Sequence, residues 1–150
     1  MNIYEQLTNE LMEAFSCKRS LPPKNKITES IRGEMAVLSL LGVENRQIAA
    51  GEISRMLNMT TSRIAAVLGS LEKKEFITRQ TDEEDKRRVL VGLTDKGSHF
   101  HTEKKEEAYR HMQNLLSRLG EEDAREYVRL MKRIFEILPE LAPQGKETDL

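Results

Sequence analysis

Residues 51–74 read GEISRMLNMTTSRIAAVLGSLEKK, and this stretch decides the fold. From Gly51 to Met59 the apolar Ile53, Met56 and Leu57 share one side of a short helix, closed by Asn58, a residue that accepts the left-handed conformation at a helix end. A tight turn, Asn58 to Thr60, follows. Thr60 is a good N-cap, and Ile64, Val67, Leu68 and Leu71 then fall at i, i+3, i+4 and i+7, so a second helix is predicted over 60–74. Two short helices joined by a three- to four-residue turn are a helix-turn-helix.

The outer face of the second helix carries its own message. At 100° per residue, Ser62, Ala66, Gly69 and Lys73 lie opposite the apolar stripe, flanked by Arg63, Ala65 and Ser70. Small residues let a helix sit deep in a groove about 12 Å wide, with Ser62 and Arg63 in reach of base edges and the alanines facing thymine methyls. The alternative is a small-residue face packed on another helix in a purely structural bundle.

Downstream the period changes to two. Phe76–Thr81 and Arg87–Leu93 read as strands, with Val89, Val91 and Leu93 alternating, and Asp82–Lys86 forms a charged tip between them. The tip holds four acids followed at once by Lys86, Arg87 and Arg88. An arginine here can enter a minor groove while the acid two residues earlier, Asp85, holds its guanidinium in a bidentate pair. The plainer reading is a solvated turn with compensating charges. Joined to the helices before it, the hairpin (wing, 81–88) makes a winged helix-turn-helix.

Helices flank this middle on both sides. Ile3, Leu7, Leu11, Ala14 and Phe15 predict an amphipathic first helix. A breaker segment, Lys18–Lys26 with Pro22 and Pro23, separates it from a second helix over Glu29–Leu41 that Gly42 ends. Thr94 is the expected N-cap of a long helix striped by Phe100, Ala108, Met112, Leu115 and Leu119 up to Gly120. A last helix, Glu122–Leu138, carries Val128, Met131, Phe135 and Leu138 and stops before Pro139; residues 139–150 are expected to be a disordered tail. The fold class is mainly α with a small β-hairpin wing (α+β). The 150 residues are read as one domain, with the winged part at 29–97 and dimerisation helices at 1–17 and 98–138, because the terminal helices carry more apolar surface than they can hide alone. A homodimer would hold the two copies of the 60–74 helix about 34 Å apart, one turn of DNA.

Composition bounds the function. With 38% hydrophobic and 33% charged residues the chain has material for a modest core, and a formal charge of −1 excludes a globally basic, histone-like protein while leaving room for a basic face. The single cysteine, Cys17, excludes an internal disulfide and points to a reducing, cytoplasmic setting. The first ten residues lack the basic start of a signal peptide, and the densest apolar run, Met35–Leu41, is far short of the roughly 18 residues a membrane span needs. No hydrolase, zincin or nucleotide-binding fingerprint occurs, so nothing supports an enzyme, and no cofactor is expected.

Several segments together resemble the MarR (multiple antibiotic resistance regulator) family of bacterial repressors: residues 51–62, Leu71-Glu72-Lys73-Lys74, Phe76-Ile77, the Asp85-Lys86-Arg87 wing, and Leu93-Thr94-Asp95-Lys96-Gly97. The resemblance implies a dimeric, ligand-responsive DNA-binding protein. It implies that Thr61, Ser62 and Arg63 read the major groove, that Arg87 enters the minor groove, and that Asp85 orients Arg87. With Thr60, Ala66, Lys73, Arg79, Lys86 and Arg88 these form the expected contact set on a pseudo-palindromic operator in double-stranded DNA. It further implies a small aromatic effector in a crevice between the dimer helices and the winged part. Two departures stand out: Glu75 occupies a position that is usually glycine in the family, and Ala65 and Ala66 stand where polar residues are common. Two other sensor candidates are a Cys17 thiol beside Lys18 and Arg19, whose plainer reading is an ordinary partly buried cysteine, and a metal on the row His99, Glu103, Glu107, His111; the row, at about 18 Å, is too long for one ion. The reading from a different class is a helical protein-interaction module without DNA binding.

Overall fold

The computed structural model describes residues 1–17 and 26–141. In chain order the elements are α1 (Ile3–Cys17), α2 (Lys26–Glu44), β1 (Ile48–Ala49), α3 (Ala50–Leu57), α4 (Thr61–Lys73), β2 (Ile77–Thr81), β3 (Val89–Leu93), α5 (Asp95–Leu119) and α6 (Glu121–Leu141). The three strands form an antiparallel sheet in the order β1-β3-β2, in which Ile48 pairs with Val91 and Ile77 with Leu93. This is a mainly helical winged helix fold. The described residues fall into two compact units, one within Pro22–Glu106 and one that joins Met1–Leu21 to Glu107–Leu150.

The first unit, residues 22–106, closes over a core of Val37, Leu38 and Leu41 from α2, Ile48 from β1, Ile53 from α3, Ile64, Val67, Leu68 and Leu71 from α4, and Phe76, Ile77 and Val91 from the hairpin. Each fully buried leucine here contributes about 1.5–3 kcal/mol by leaving water. Thr60 caps α4 as expected, its hydroxyl accepting from the Arg63 amide at 3.2 Å, and Asn58 ends α3 at φ 49°. Met56 departs from expectation: it points outward, 42% exposed, and Leu57 takes the inner position with Ile53.

Three boundaries differ from the sequence reading. Gly42 does not end α2, which continues to Glu44 and stops where Asn45 turns left-handed at φ 49°. Strand β1 is absent from the sequence reading because two residues carry no periodicity; only pairing with β3 makes them a strand. Helix α6 runs through Pro139 to Leu141, because a proline in the last turn removes a single helical hydrogen bond. The stretch 18–25, the Cys17 thiol and the tail 142–150 lie outside the described residues.

The turn from α4 into β2 holds Glu75 in a conformation that favours glycine. Lys74 caps α4, Glu75 follows at φ 63°, and the Phe76 amide reaches back to the Leu71 carbonyl while the Glu75 amide reaches Glu72. These are the paired bonds of a Schellman ending, which glycine fits best. A glutamate there costs about 1 kcal/mol in the left-handed region. Glu75→Gly is therefore expected to raise stability by about 1 kcal/mol, read from the urea midpoint, even though it deletes the exposed 3.3 Å contact to Lys96. A lowered midpoint would show that the side chain matters more than its backbone strain.

The second unit packs α1 against α6 and the latter half of α5. Leu7, Leu11, Leu116, Ala124, Val128 and Phe135 form its core, and Phe15 meets Phe135 edge-on at 4.7 Å. The Tyr109 hydroxyl donates to Asn9 Oδ1 at 2.9 Å, tying α5 to α1. Leu115, Leu119, Leu130, Ile134 and Ile137 remain 39–45% exposed. Among the described residues no helix is long and apolar enough to cross a membrane.

Candidate nucleic-acid interface

Helix α4 presents the face that its spacing predicts. Thr60, Thr61, Ser62, Ala65, Ala66 and Lys73 are exposed, and a side chain on Gly69 would meet open space. The apolar stripe pulls the opposite side into the core, so the exposed row follows from the helical period. Arg63 behaves differently. It is half-buried and lies back toward α2, its Nη2 3.9 Å from where a Cβ on Gly33 would stand. To reach a base edge its side chain has to swing outward.

The hairpin tip is built by its own acids. Asp82 Oδ1 accepts from the Glu84 amide at 3.0 Å, Asp85 Oδ1 accepts from the Arg87 amide at 3.1 Å, and the Arg88 amide donates to the Asp85 carbonyl at 2.9 Å. Asp and Asn form such local turns readily. Asp85 also meets Arg87, but not in the bidentate pair expected: one contact, Nε to Oδ1 at 3.5 Å, joins them. Two residues apart on a tight turn, the carboxylate is committed to the backbone through Oδ1, and the guanidinium meets that same oxygen. The Arg87 side chain, 94% exposed, projects outward. Lys86 and Arg88 are exposed beside it, Arg88 lying 3.8 Å from Asp82.

Most cations around α4 and the wing have an acid nearby. Arg79 on β2 holds Glu72 of α4 through two bonds, Nε to Oε2 at 3.1 Å and Nη2 to Oε1 at 2.9 Å. These bonds keep the Glu72 carboxyl below its ordinary range and raise the Arg79 guanidinium. Lys74 meets the largely buried Glu34. The sequence reading missed both acids, since the partners sit seven and forty residues apart on different elements. The only hint was Glu34 itself, an acid just before the apolar run of α2. Near the start of α5, His101 Nε2 lies 3.0 Å from Ser39 Oγ; burial, with the Lys105 ammonium, holds its imidazole below the ordinary value. Among the described residues no three His, Cys, Asp or Glu side chains are grouped to hold a metal ion; His99, Glu103, Glu107 and His111 succeed one another along α5.

A capped helix-turn-helix, an exposed small-residue helix face and a hairpin tip that projects an arginine together define a winged helix protein. Residues 32–97 match the winged helix DNA-binding domain. The HTH-type transcriptional regulator YdgJ of Bacillus subtilis (strain 168) is 27% identical over 88 residues, which are 59% of this chain and 54% of that relative, so the match spans about half its length. The crystal structure of MarR is similar over 73% of this chain and 77% of its own, with 27% identity and a TM-score of 0.56. That of Streptococcus pneumoniae FabT in complex with DNA is similar over 93% and 96%, with 23% identity and a TM-score of 0.60, a likeness of fold. The chain has a winged helix fold similar to that of MarR.

Proposed function

We propose that the protein is a dimeric, sequence-specific DNA-binding transcriptional regulator that places α4 in the major groove and the 81–88 wing in the minor groove of a pseudo-palindromic operator. The observation that carries this reading is the exposed face Thr61, Ser62, Ala65, Ala66 on α4, in the same compact unit as a hairpin tip from which Arg87 extends. Ser62 and a swung-out Arg63 read base edges, Ala66 meets a thymine methyl, and Lys73, Arg79, Lys86 and Arg88 serve the phosphates. Arg79 exchanges its carboxylate partner for phosphate in doing so. That FabT was crystallised with DNA supports the reading.

The protein acts in the cytoplasm as a repressor, is released by a small aromatic effector, and needs no catalytic residue. A second copy covers the exposed Leu115, Leu119, Leu130, Ile134 and Ile137 of α5 and α6, which stand at helical spacing. Sedimentation at micromolar concentration is expected to give a dimer; a monomer there contradicts the two-half-site arrangement.

The wing assignment is tested through Asp85 and Arg87. Loss of Arg87 is expected to weaken DNA binding by about 1–3 kcal/mol. If Asp85 shapes the turn that aims Arg87, Asp85→Ala also weakens binding, although charge alone says that removing an acid near phosphate helps. In an Arg87→Ala background the same change should then have little effect. Tighter binding on removing Asp85 in both backgrounds would make the tip a solvated turn and remove the support for Arg87.

A further inference from the structure

We propose that Glu34 is the positioning residue of the recognition helix α4, fixing its rotation and its slide against α2; this rests on the DNA-binding reading above. Among the described residues the seam between the two helices is largely apolar, built from Val37, Leu38 and Leu41 on α2 and Ile64, Val67, Leu68 and Leu71 on α4, with Arg63 lying back toward α2 near its start. Apolar contact is non-directional, and cores lose a unique arrangement before they lose stability. Something directional has to set the register.

Glu34 supplies it. Only 9% exposed, it receives the Ser70 hydroxyl on Oε1 at 2.5 Å and the Lys74 ammonium on both oxygens, at 2.8 and 3.1 Å. Ser70 and Lys74 are four residues apart, one above the other on the same face of α4, so both carboxylate oxygens grip a full helical turn. A rotation of α4 by one residue, or a slide by one rise of about 1.5 Å, breaks both contacts. The neighbouring Gly33 leaves room for side chains of the helix-turn-helix at the same place: a Cβ there would stand 3.0 Å from Val67 Cγ2 and 3.4 Å from Met59 Cε. A largely buried carboxylate is costly, and a well-packed hydrophobe at such a place is often as stable. Direction is what the acid adds.

The consequence for DNA follows from tolerance. Base-edge contacts require placement within about 0.5 Å, whereas phosphate contacts accept larger shifts. Freeing α4 therefore lowers discrimination first. It also releases Lys74, which stands 49% exposed, to the phosphates.

The test begins by letting the wild-type protein select duplexes of about 30 base pairs from a random pool, long enough for two half-sites. Affinities are then compared for the selected duplex and a scrambled one, at a temperature where circular dichroism shows every variant folded. Glu34→Ala is expected to lower the ratio by about tenfold or more, and Ser70→Ala and Lys74→Met by about threefold each. Binding to the scrambled duplex should hold or tighten in Glu34→Ala, with a salt slope steeper by about 0.9 as one phosphate contact is gained. Should Glu34→Ala not fold, Glu34→Gln carries the test, since its amide oxygen still accepts from Ser70 while the ion pair is lost; an intermediate fall in the ratio is expected. A ratio equal to wild type in both Glu34→Gln and Lys74→Met, even with a lowered melting temperature, overturns the proposal and leaves Glu34 a structural residue. A wild type that enriches no sequence but binds all duplexes in a salt-dependent way removes the specificity that Glu34 would serve. No salt-dependent binding to any duplex overturns the functional reading and this proposal with it.

Discussion

Gly97→Ala is expected to cost at least about 3 kcal/mol of folding stability, among the largest losses any single methyl group can cause here. A Cβ at residue 97 would stand 2.0 Å from the Phe76 carbonyl oxygen and 2.9 Å from its carbon, with Leu93 Cδ1 at 3.0 Å. Two of those three atoms are backbone, so no rotamer change relieves the clash. The carbonyl cannot retreat easily either. It accepts from the Thr94 amide at 3.1 Å, and the Thr94 hydroxyl both donates to the Glu75 carbonyl at 2.7 Å and accepts from the Gly97 amide at 3.0 Å as the cap of α5. Relief would require α5 to lift from the base of the hairpin, parting the stacked rings of Phe76 and Phe100, whose centres are 4.4 Å apart. Gly97 has no left-handed φ, so the requirement is space alone. Urea unfolding of the variant checks this, and a loss below about 1 kcal/mol would mean that the contact relaxes readily.

Ala66→Glu is expected to do the reverse, leaving stability within about 0.5 kcal/mol and abolishing DNA binding. Residue 66 is exposed in the middle of α4, and glutamate is a good helix former, so the fold has nothing to lose there. On DNA the same side chain would bring one extra methylene and a carboxylate into a groove lined by phosphates. Loss of about 100-fold or more in affinity with an unchanged urea midpoint is the expected pair of results. Unchanged binding would place the DNA elsewhere on the protein.

The helix-turn-helix was legible in the sequence because its signals are local. Asn58, Thr60 and Thr94 act within one turn of their own position, and the stripe Ile64, Val67, Leu68, Leu71 requires only the helical period. The wing was legible for the same reason, as an acidic turn between alternating strands. What escaped depends on residues far apart in the chain. Strand β1 exists through pairing with Val91 and Leu90, Arg79 is held by Glu72, and Lys74 by Glu34. Amphipathic patterning also misplaces single positions: Met56, read as inward, faces out, and Leu116 is fully buried while Leu115 beside it is 45% exposed. Glu75 sits between the two cases. Its departure from the usual glycine was visible in the sequence, and its left-handed backbone shows that the turn keeps the glycine conformation without the glycine.

The most direct test of the central claim is equilibrium binding of the purified protein to its selected duplex over a range of salt concentrations. If α4 and the wing engage the grooves and phosphates, log affinity falls linearly with log salt, with a slope of about −0.9 for each phosphate neutralised, and Ala66→Glu abolishes the binding. Binding that is absent at every salt concentration, or that Ala66→Glu leaves intact, would contradict it.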